Sequence, residues 1–541
     1  MTIENGTPED GGAAVLGDIA AQVQRRAAEL VGPETRPELE EKFIRQCLRG
    51  NERGDGVLYA TMHRGNYLYN TTPKDGEWYA WGGNVWQRDE LRSSLAAVEE
   101  CAMEYQRCAD LLSAELTGAE KEEDPTVKLV KKYLKRIDRL RSAAGASKVL
   151  HWAPVVLQDM ACREADFDKQ PWLLPVKNGV IDLRTGALTT GRPEDMLTRA
   201  LDIDYDPLAD YGPWQEFLAE IADKNEVAAF VKRALGCAIT GHSVEQYIFV
   251  FTGPGRNGKG VLFDLIGEVM RPYYHVISRA MLIEQRSEPS PSAASEHKYS
   301  LFGKRIIVGA ETNKGQKIDA GAVKSLTGDD DIVCRPNFKS EIVFKPSHTL
   351  FLHTNHVPVG LTRDFALVQR LLKIEFPYMY VDDPEEEARK KPAQAERFRK
   401  KDPFLKERLR KCKPGILRWL VEGTREWMEH GLAPPACITD AVTQLADEED
   451  YVGRFMRDCL EYFQDDDRCR MSTTDMYDAF RWWWTMNMDE SDKRRPSMKS
   501  INSAIRDKGH RVESVGGRTW LYQHVLSEDV KTEVKEFISK K

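Results

Sequence analysis

The clearest pattern in the chain is a set of strand-length apolar runs in its central part. They lie at residues 247–251, 305–311, 349–355 and 371–376. A helical pattern follows the first run directly, over residues 261–270. Buried strands that alternate with helices are typical of a parallel sheet covered by helices. The pattern therefore predicts an α/β core.

The N-terminal part mixes helical and strand patterns. Helical spacing appears at residues 19–48, 91–116 and 126–141, and an aromatic, glycine-rich stretch between 56 and 86 predicts β-hairpins. We expect a flexible segment over 1–30 and an α+β domain over 31–210. The helix at 126–141 is rich in lysine and arginine, which suits either a solvated face or contact with phosphates.

The C-terminal part predicts two helices, at 473–486 and 498–508, followed by a hairpin at 511–522. This order is typical of a winged-helix-like domain, which we place at 440–541 after a central domain over 211–435. Such domains bind either DNA or proteins, and the pattern leaves both open. We expect the tryptophans at 482–484 to lie in the core.

Composition limits the cellular environment in which we expect the protein to work, but it identifies no ligand. The chain has 541 residues, a formal net charge of −8 and 10 cysteines that form no C-x-x-C pair. Scattered cysteines favour reduced thiols, and no apolar run has membrane-spanning length. The first residues lack the pattern of a secretory signal. We expect a cytoplasmic protein without a membrane partner, in which local basic patches mediate any binding of nucleic acid.

A glycine-rich loop joins the first central strand to its helix. The strand, loop and helix match a phosphate-binding loop, in which backbone N–H groups surround phosphate oxygens and the lysine reaches the outer phosphates. The candidate nucleotide-binding residues are Gly253, Pro254, Gly255, Arg256, Asn257, Gly258, Lys259, Gly260 and Val261. Gly260 stands where the motif has a serine or threonine that ligates magnesium, so metal binding must depend on other groups.

Polar residues follow the next strands. Glu311 is a candidate to polarise water and to lie near magnesium, and Asn355 is a candidate to contact the γ-phosphate. The segment 363–370 precedes the fourth strand, and an arginine in it suits an arginine finger from a neighbouring subunit. For Glu311 and for an arginine of this segment, an ordinary surface ion pair is the alternative.

The order of these elements resembles the superfamily 3 helicases, specifically the phage and plasmid primase-helicase family related to the poxvirus primase-helicase. The likeness spans about 173–460. The resembling segments are 253–260 for motif A, 306–311 for motif B, 324–335 for motif B′, 354–358 for motif C and 364–370 for the arginine that follows.

The resemblance implies an AAA+-type αβα ATPase that works with ATP and Mg²⁺ as a ring, usually a hexamer, and moves 3′ to 5′ on single-stranded DNA. Lys259 corresponds to the phosphate lysine, Glu311 to the catalytic acid, Asn355 to the polar sensor and Arg370 to the finger. Motif B′ predicts a hairpin that enters the ring channel. The candidate DNA-binding residues there are Lys324, Arg335, Phe338 and Lys339.

The expected function is therefore a replicative DNA helicase of a phage, plasmid or mobile element in a bacterial host. Too few residues precede Gly179 for the primase domain that the family often carries, so we expect a separate primase or polymerase partner. Gly260 and Ala310 favour an alternative, a replication initiator or loader that uses nucleotide only as a switch. A third hypothesis is an AAA+ ATPase that acts on protein.

Overall fold

The structure is a computed structural model of the chain. It describes residues 39–116, 122–284, 295–309, 316–335, 341–358, 360–362, 364–488 and 495–539. None of the helices in these ranges is both long enough and apolar enough to cross a bilayer.

The first region combines helices with a small sheet. Its helices are α1 (Glu41–Arg49), α2 (Asn51–His63), α3 (Ser93–Ala96), α4 (Val98–Ala114), α5 (Pro125–Leu140) and α6 (Ala143–Val156). Its strands are β1 (Tyr67–Asn70), β2 (Glu77–Trp81), β3 (Trp86–Arg88) and β4 (Ala161–Cys162). They pair in the order β3-β2-β1-β4, and only the β1–β4 pair is parallel.

The start of the predicted hairpin stretch is wrong, because residues 56–60 lie in helix α2. Gly56, which suggested a turn, and its neighbour Gly54 instead allow close helix packing. A Cβ on Gly54 would lie 1.9 Å from the Cys47 carbonyl oxygen, and one on Gly56 would lie 2.6 Å from Cβ of Trp152. Glycine at a helix contact removes the side chain that would hold two backbones apart.

The predicted basic helix is confirmed as α5. One of its cations faces the interior, because the Arg136 guanidinium is 2.7 Å from the Asp55 carboxylate and both side chains are buried. The Tyr105 hydroxyl donates to the same carboxylate at 2.8 Å. The lysines of α5 are exposed, so a role in phosphate contact stays a prediction.

The central region begins with a three-stranded antiparallel sheet and continues into a large parallel one. Its first elements are β5 (Leu173–Val176), β6 (Gly179–Asp182), β7 (Ala187–Thr189), α7 (Gly212–Ala222) and α8 (Asn225–Ala238). They are followed by β8 (Ile248–Thr252), α9 (Lys259–Val269), β9 (Tyr274–Ile277), α10 (Glu296–Tyr299), β10 (Ile306–Gly309) and α11 (Ala320–Thr327). The last are β11 (Ile332–Cys334), β12 (Ile342–Phe344), β13 (Thr349–His353), α12 (Phe365–Val368) and β14 (Leu371–Glu375).

The parallel sheet has the strand order β14-β8-β13-β10-β9. All its neighbouring strands run parallel, and all four predicted apolar runs contribute a strand. After β8, the chain forms β9 at the far edge of the sheet. It then forms β10 and β13, which lies beside β8, and finally β14 on the other side of β8. In such sheets, ligands bind beyond the carboxyl ends of the strands where the order reverses, which here means the ends of β8 and β13.

Both faces of the parallel sheet are buried. Along β8, Phe249 and Phe251 pack on one face, against a core shared with α7, α8, α9 and a later helix, while Ile248 and Val250 pack on the other. Residues of β5 and β6 join the first of these cores. The α/β class is confirmed as a mixed fold with a parallel sheet. The predicted boundary at 210 stays a prediction, although hydrophobic residues on both sides of it share one core.

A connecting region follows β14. Its elements are β15 (Met379–Val381), α13 (Pro384–Lys390), β16 (Phe398–Lys400), α14 (Leu405–Arg410), α15 (Lys413–His430) and α16 (Ala436–Glu449). Helix α15 crosses α8 at very short range. A Cβ on Gly236 would lie 2.1 Å from the Gly423 carbonyl carbon, and the Thr424 hydroxyl donates to the Gly236 carbonyl at 2.7 Å.

The last region has its own core. Its elements are α17 (Tyr451–Cys459), β17 (Leu460–Tyr462), β18 (Arg470–Ser472), α18 (Thr473–Asn487), α19 (Met498–Asp507), β19 (Val512–Val515), β20 (Arg518–Tyr522), β21 (His524–Leu526) and α20 (Glu528–Ser539). The predicted two helices and hairpin are present as α18, α19 and β19–β20. Trp483 and Trp484 are buried as expected, and the half-buried Trp482 packs against the same core. Assignment to the winged-helix class stays a prediction.

Candidate active site

The loop between β8 and α9 adopts a conformation that depends on its glycines. Gly255 and Gly258 have φ values of +84° and +88°, in the left-handed region that favours glycine. A Cβ on Gly258 would also lie 2.7 Å from Cγ2 of Ile221 on α7. Arg256 lies in the same region with φ +48° although it carries a side chain, which costs about 1–3 kcal/mol and marks the loop as locally constrained.

Lys259, the first residue of α9, is 4% exposed. Its Nζ donates to Oδ1 of Asn355 at 3.1 Å and lies 3.5 Å from the Gly253 carbonyl oxygen. Asn355 follows β13, the neighbour of β8 in the sheet. The structure therefore brings together the two residues that the sequence assigned to the outer phosphates, at the carboxyl edge of adjacent strands.

The other side of the loop is fastened to the segment that follows β14. Nδ2 of the buried Asn257 donates to the Phe376 carbonyl at 3.3 Å, and the Tyr380 amide donates to the Arg256 carbonyl at 2.8 Å. Sequence reasoning did not identify Phe376 or Tyr380. Their contacts use backbone atoms, which leave no signature in side-chain identity.

Gly260 faces open space, since a Cβ there would meet no atom within 4 Å. A hydroxyl side chain would fit at this position, but the chain provides none. The predicted metal ligand and catalytic acid, Glu311, lies outside the described residues, as does Ala310. Within the ranges that the structure describes, no group of three or more His, Cys, Asp or Glu side chains is arranged to hold a metal ion.

Arg370 lies at the amino ends of the strands, opposite the carboxyl ends where the loop lies. It directly precedes β14, and its carbonyl accepts from the Ile248 amide, at the amino end of β8. A strand rises about 3.3 Å per residue, so the five residues of β8 separate Arg370 from the loop by roughly 16 Å. That distance is too long for the arginine side chain to span, so Arg370 does not reach the loop of its own chain.

The Arg370 guanidinium instead contacts α11. Its Nη1 lies 3.3 Å from both the Lys324 carbonyl oxygen and Oγ1 of Thr327. Buried His348 contacts the same helix, since its Nε2 is 3.1 Å from the Leu326 carbonyl oxygen. Burial lowers the pKa of His348 to about 4, so its ring is neutral at neutral pH.

Lys324, a candidate DNA-binding residue, is engaged in an ion pair. Its Nζ donates to the Asp364 carboxylate at 2.6 Å, and both side chains are about one third exposed. This hydrogen bond is the main reason that the pKa of Asp364 is lowered. Asp364 also accepts from the Leu367 amide at the start of α12, so the pair links motif B′ to the arginine segment.

The remaining DNA-binding candidates belong to the predicted hairpin. Strands β11 and β12 pair antiparallel, as expected. Arg335 is exposed just beyond β11, and its amide donates to the Ser295 hydroxyl at 2.8 Å. Phe338 and Lys339 lie outside the described residues, so their contact with DNA stays a prediction.

A carboxylate missed in the sequence holds the segment before Arg370. Glu449, at the end of α16, accepts from the amides of Gly360 and Thr362 at 2.8 and 3.1 Å, and also from the Thr362 hydroxyl. The residues lie 87–89 positions apart, so nothing in the local pattern pointed to this contact.

Comparisons with known proteins place the chain among viral relatives. The family described as "D5 N terminal like" matches residues 58–223, and a family of unknown function, DUF5906, matches residues 251–370. Putative helicase L207/L206 of Acanthamoeba polyphaga mimivirus is 26% identical over 429 residues, covering 76% of this chain and 44% of that protein. Uncoating factor OPG117 of Vaccinia virus (strain Western Reserve) is 25% identical over 234 residues, covering 41% of this chain and 29% of that protein.

Among solved structures, the apo structure of the NrS-1 C terminal region is similar with a TM-score of 0.42 and 10% identity, covering 87% of this chain and 99% of that chain. The chain spans less than half the length of the two curated relatives. The sequence matches confirm the resemblance to the primase-helicase family related to the poxvirus primase-helicase. Membership of superfamily 3 and an AAA+ core stay predictions.

Proposed function

We propose that the protein is an ATP-dependent replicative DNA helicase with a superfamily 3, AAA+-type core that works as a ring. The observation that carries this proposal is the meeting of Lys259 and Asn355, 3.1 Å apart, beside a glycine loop at the carboxyl edge of a parallel sheet. The matched relative named a putative helicase supports the same activity, and its origin in a large DNA virus is compatible with a replication role. A phage or plasmid origin and a bacterial host stay predictions.

The residues of the site fit a nucleoside triphosphate. At the glycine positions no side chain blocks the loop backbone, so that N–H groups there could approach phosphate oxygens, and Lys259 would add a cation at the outer phosphates. Asn355 is placed to hydrogen-bond the γ-phosphate or the attacking water. Bound Mg²⁺ would neutralise phosphate charge. Because Gly260 offers no hydroxyl and Glu311 lies outside the described residues, we assign no step to the metal.

The position of Arg370 is the reason to propose a ring. An arginine at the amino edge of the sheet stabilises phosphate charge only if another subunit brings its own loop to that edge. The link between Lys324 and Asp364 ties this edge to motif B′, whose hairpin we propose as the DNA contact. Hydrolysis at a subunit boundary would then move the hairpins along single-stranded DNA, in the 3′ to 5′ direction.

The proposal is tested by phosphate release with and without single-stranded DNA. We expect DNA to stimulate turnover and Lys259→Ala to lower it about 100-fold, since the substitution removes a charge-assisted contact to the phosphates. Lys411→Ala is the matched control, because Lys411 is exposed on the surface. Equal turnover in the Lys259→Ala and control variants would contradict the proposed mechanism.

Gly260 supports a second candidate function, a DNA-binding initiator or loader switched by nucleotide. With no hydroxyl at the position that commonly ligates magnesium, the chain has one metal ligand fewer, which favours weak turnover. The same assay separates the two functions. Tight binding of ATP and DNA without stimulated phosphate release would favour the switch.

A further inference from the structure

The segment after β14 runs alongside the loop between β8 and α9. This loop, residues 253–258, is called the phosphate loop below. Phe376 contacts Asn257 of the loop and Tyr380 contacts Arg256. Tyr378 lies midway between these two attachment points, so its backbone is held close to the loop at both ends. Its aromatic ring is paired with a cation.

The ring of Tyr378 is fixed by two further contacts. Its hydroxyl donates to the carboxylate of Asp223, which follows α7, and this hydrogen bond is the main reason that the pKa of Tyr378 is raised. The Arg399 guanidinium lies over the ring, 3.9 Å from its centroid. Nη1 of Arg399 in turn donates to the carbonyls of Glu396 and Phe398 at 2.6 and 3.0 Å. Both residues of the pair therefore have contacts of their own that hold them in this arrangement.

The direction of a bound nucleotide follows from the sheet. Lys259 and Asn355 mark the end of the loop beside β13, where the outer phosphates belong. A nucleotide whose outer phosphates lie there would extend its base away from β13. On that side of β8 lies β14, followed directly by Phe376 and the Tyr378–Arg399 pair.

We propose that the Tyr378–Arg399 pair is the nucleobase platform of this site and that it prefers purines. This inference rests on the proposed nucleotide site and adds to it the part that recognises the base. A flat aromatic ring backed by a guanidinium stacks well on a nucleobase, and the larger purine ring gains more contact than a pyrimidine. Because Asp223 is already bound to the tyrosine hydroxyl, the platform selects ring size and does not distinguish adenine from guanine.

The test is the affinity of the full chain for ATP, GTP, CTP and inorganic tripolyphosphate, measured by competition against a fluorescent ATP analogue. We expect ATP and GTP to bind about equally and CTP about tenfold more weakly, which matches the lower end of measured stacking contributions. Tyr378→Ala should weaken ATP binding about tenfold and leave tripolyphosphate unchanged. Tyr378→Phe keeps the ring and should bind ATP within twofold of the natural chain.

Two further variants complete the design. Arg399→Gln removes the guanidinium while leaving Tyr378 in place, and should weaken ATP but not tripolyphosphate, even if Tyr378→Ala fails to fold. Arg389→Ala is the matched control, because Arg389 is exposed on α13 and donates to the Glu385 carbonyl in its own helix.

The outcomes separate this inference from the proposed function. Equal affinity for ATP and CTP in the natural chain, or an equal loss of ATP and tripolyphosphate in both platform variants, overturns the base platform and leaves the phosphate site standing. A natural chain that binds none of the four ligands overturns the proposed function itself.

Discussion

At the scale of single residues, the glycines of the phosphate loop differ in what they allow. Gly258 has a positive φ and packs against Ile221, whereas Gly260 lies inside helix α9 and faces open space. The two positions are separated by one residue in the chain but differ in backbone conformation and in what surrounds them. They therefore form a matched pair for testing which features of the loop depend on glycine.

We predict that Gly258→Ala lowers the free energy of unfolding by about 1–3 kcal/mol, because the new Cβ is strained by the positive φ and meets Ile221. Gly260→Ala should raise it by about 0.5–1 kcal/mol, because alanine is the better helix former. Urea denaturation of both variants checks this. A larger loss in Gly260→Ala than in Gly258→Ala would contradict the described loop.

At the scale of elements, helix α9 is tied to the connecting region by Glu268. Its carboxylate accepts from Arg410 and Lys413, at 2.7 and 2.8 Å. The hydrogen bond from Arg410 is the main cause that lowers the pKa of Glu268 from about 4.5 to about 2. A carboxyl with a lowered pKa in the folded state stabilises that state only while it is ionised.

The pH dependence of stability follows from the lowered pKa of Glu268. The stabilisation by Glu268 is fully present above pH about 4.5 and is lost as the pH falls towards about 2. We predict that Glu268→Gln unfolds more easily at pH 7 and that its difference from the natural chain shrinks between these two values. Thermal unfolding across the range measures the difference, and a gap that stays constant down to pH 2 would exclude the ion pair as its source.

The end of α16 acts on the segment before Arg370 through Glu449. We predict that Glu449→Ala lowers ATP turnover several-fold and leaves the Kd for ATP within twofold, because the loop at 360–362 loses three hydrogen bonds while the phosphate loop is untouched. Steady-state turnover and equilibrium binding together test it. Glu448→Ala, at an exposed neighbouring position, is the control and should change neither quantity.

At the scale of the whole molecule, the phosphate loop and Arg370 lie at opposite edges of one sheet. We predict that Lys259→Ala and Arg370→Gln are each inactive alone and regain partial turnover when mixed. A mixed ring contains boundaries where an intact loop faces an intact arginine. No recovery, with both variants folded and assembled, would place the action of Arg370 within its own chain.

The central core was predictable from sequence because its strands are continuous apolar runs and its loop has a spacing that few other structures use. Lys259 and Asn355 were found in this way and do lie together. Tertiary contacts decided the rest. The segment at 56–60 was assigned wrongly because its glycines serve helix packing and not turns. Glu449, Phe376 and Tyr380 escaped notice because their contacts involve backbone groups and a partner far away in the chain, a feature that no local pattern encodes.

In the proposed ring, the location of Arg370 makes activity depend on protein concentration. A solitary copy carries every group of the proposed site except the one cation that it cannot supply to itself. Its specific activity should therefore rise steeply with protein concentration and then level off. Binding to DNA would bring copies together, so ATP hydrolysis by the proposed helicase would be activated on DNA.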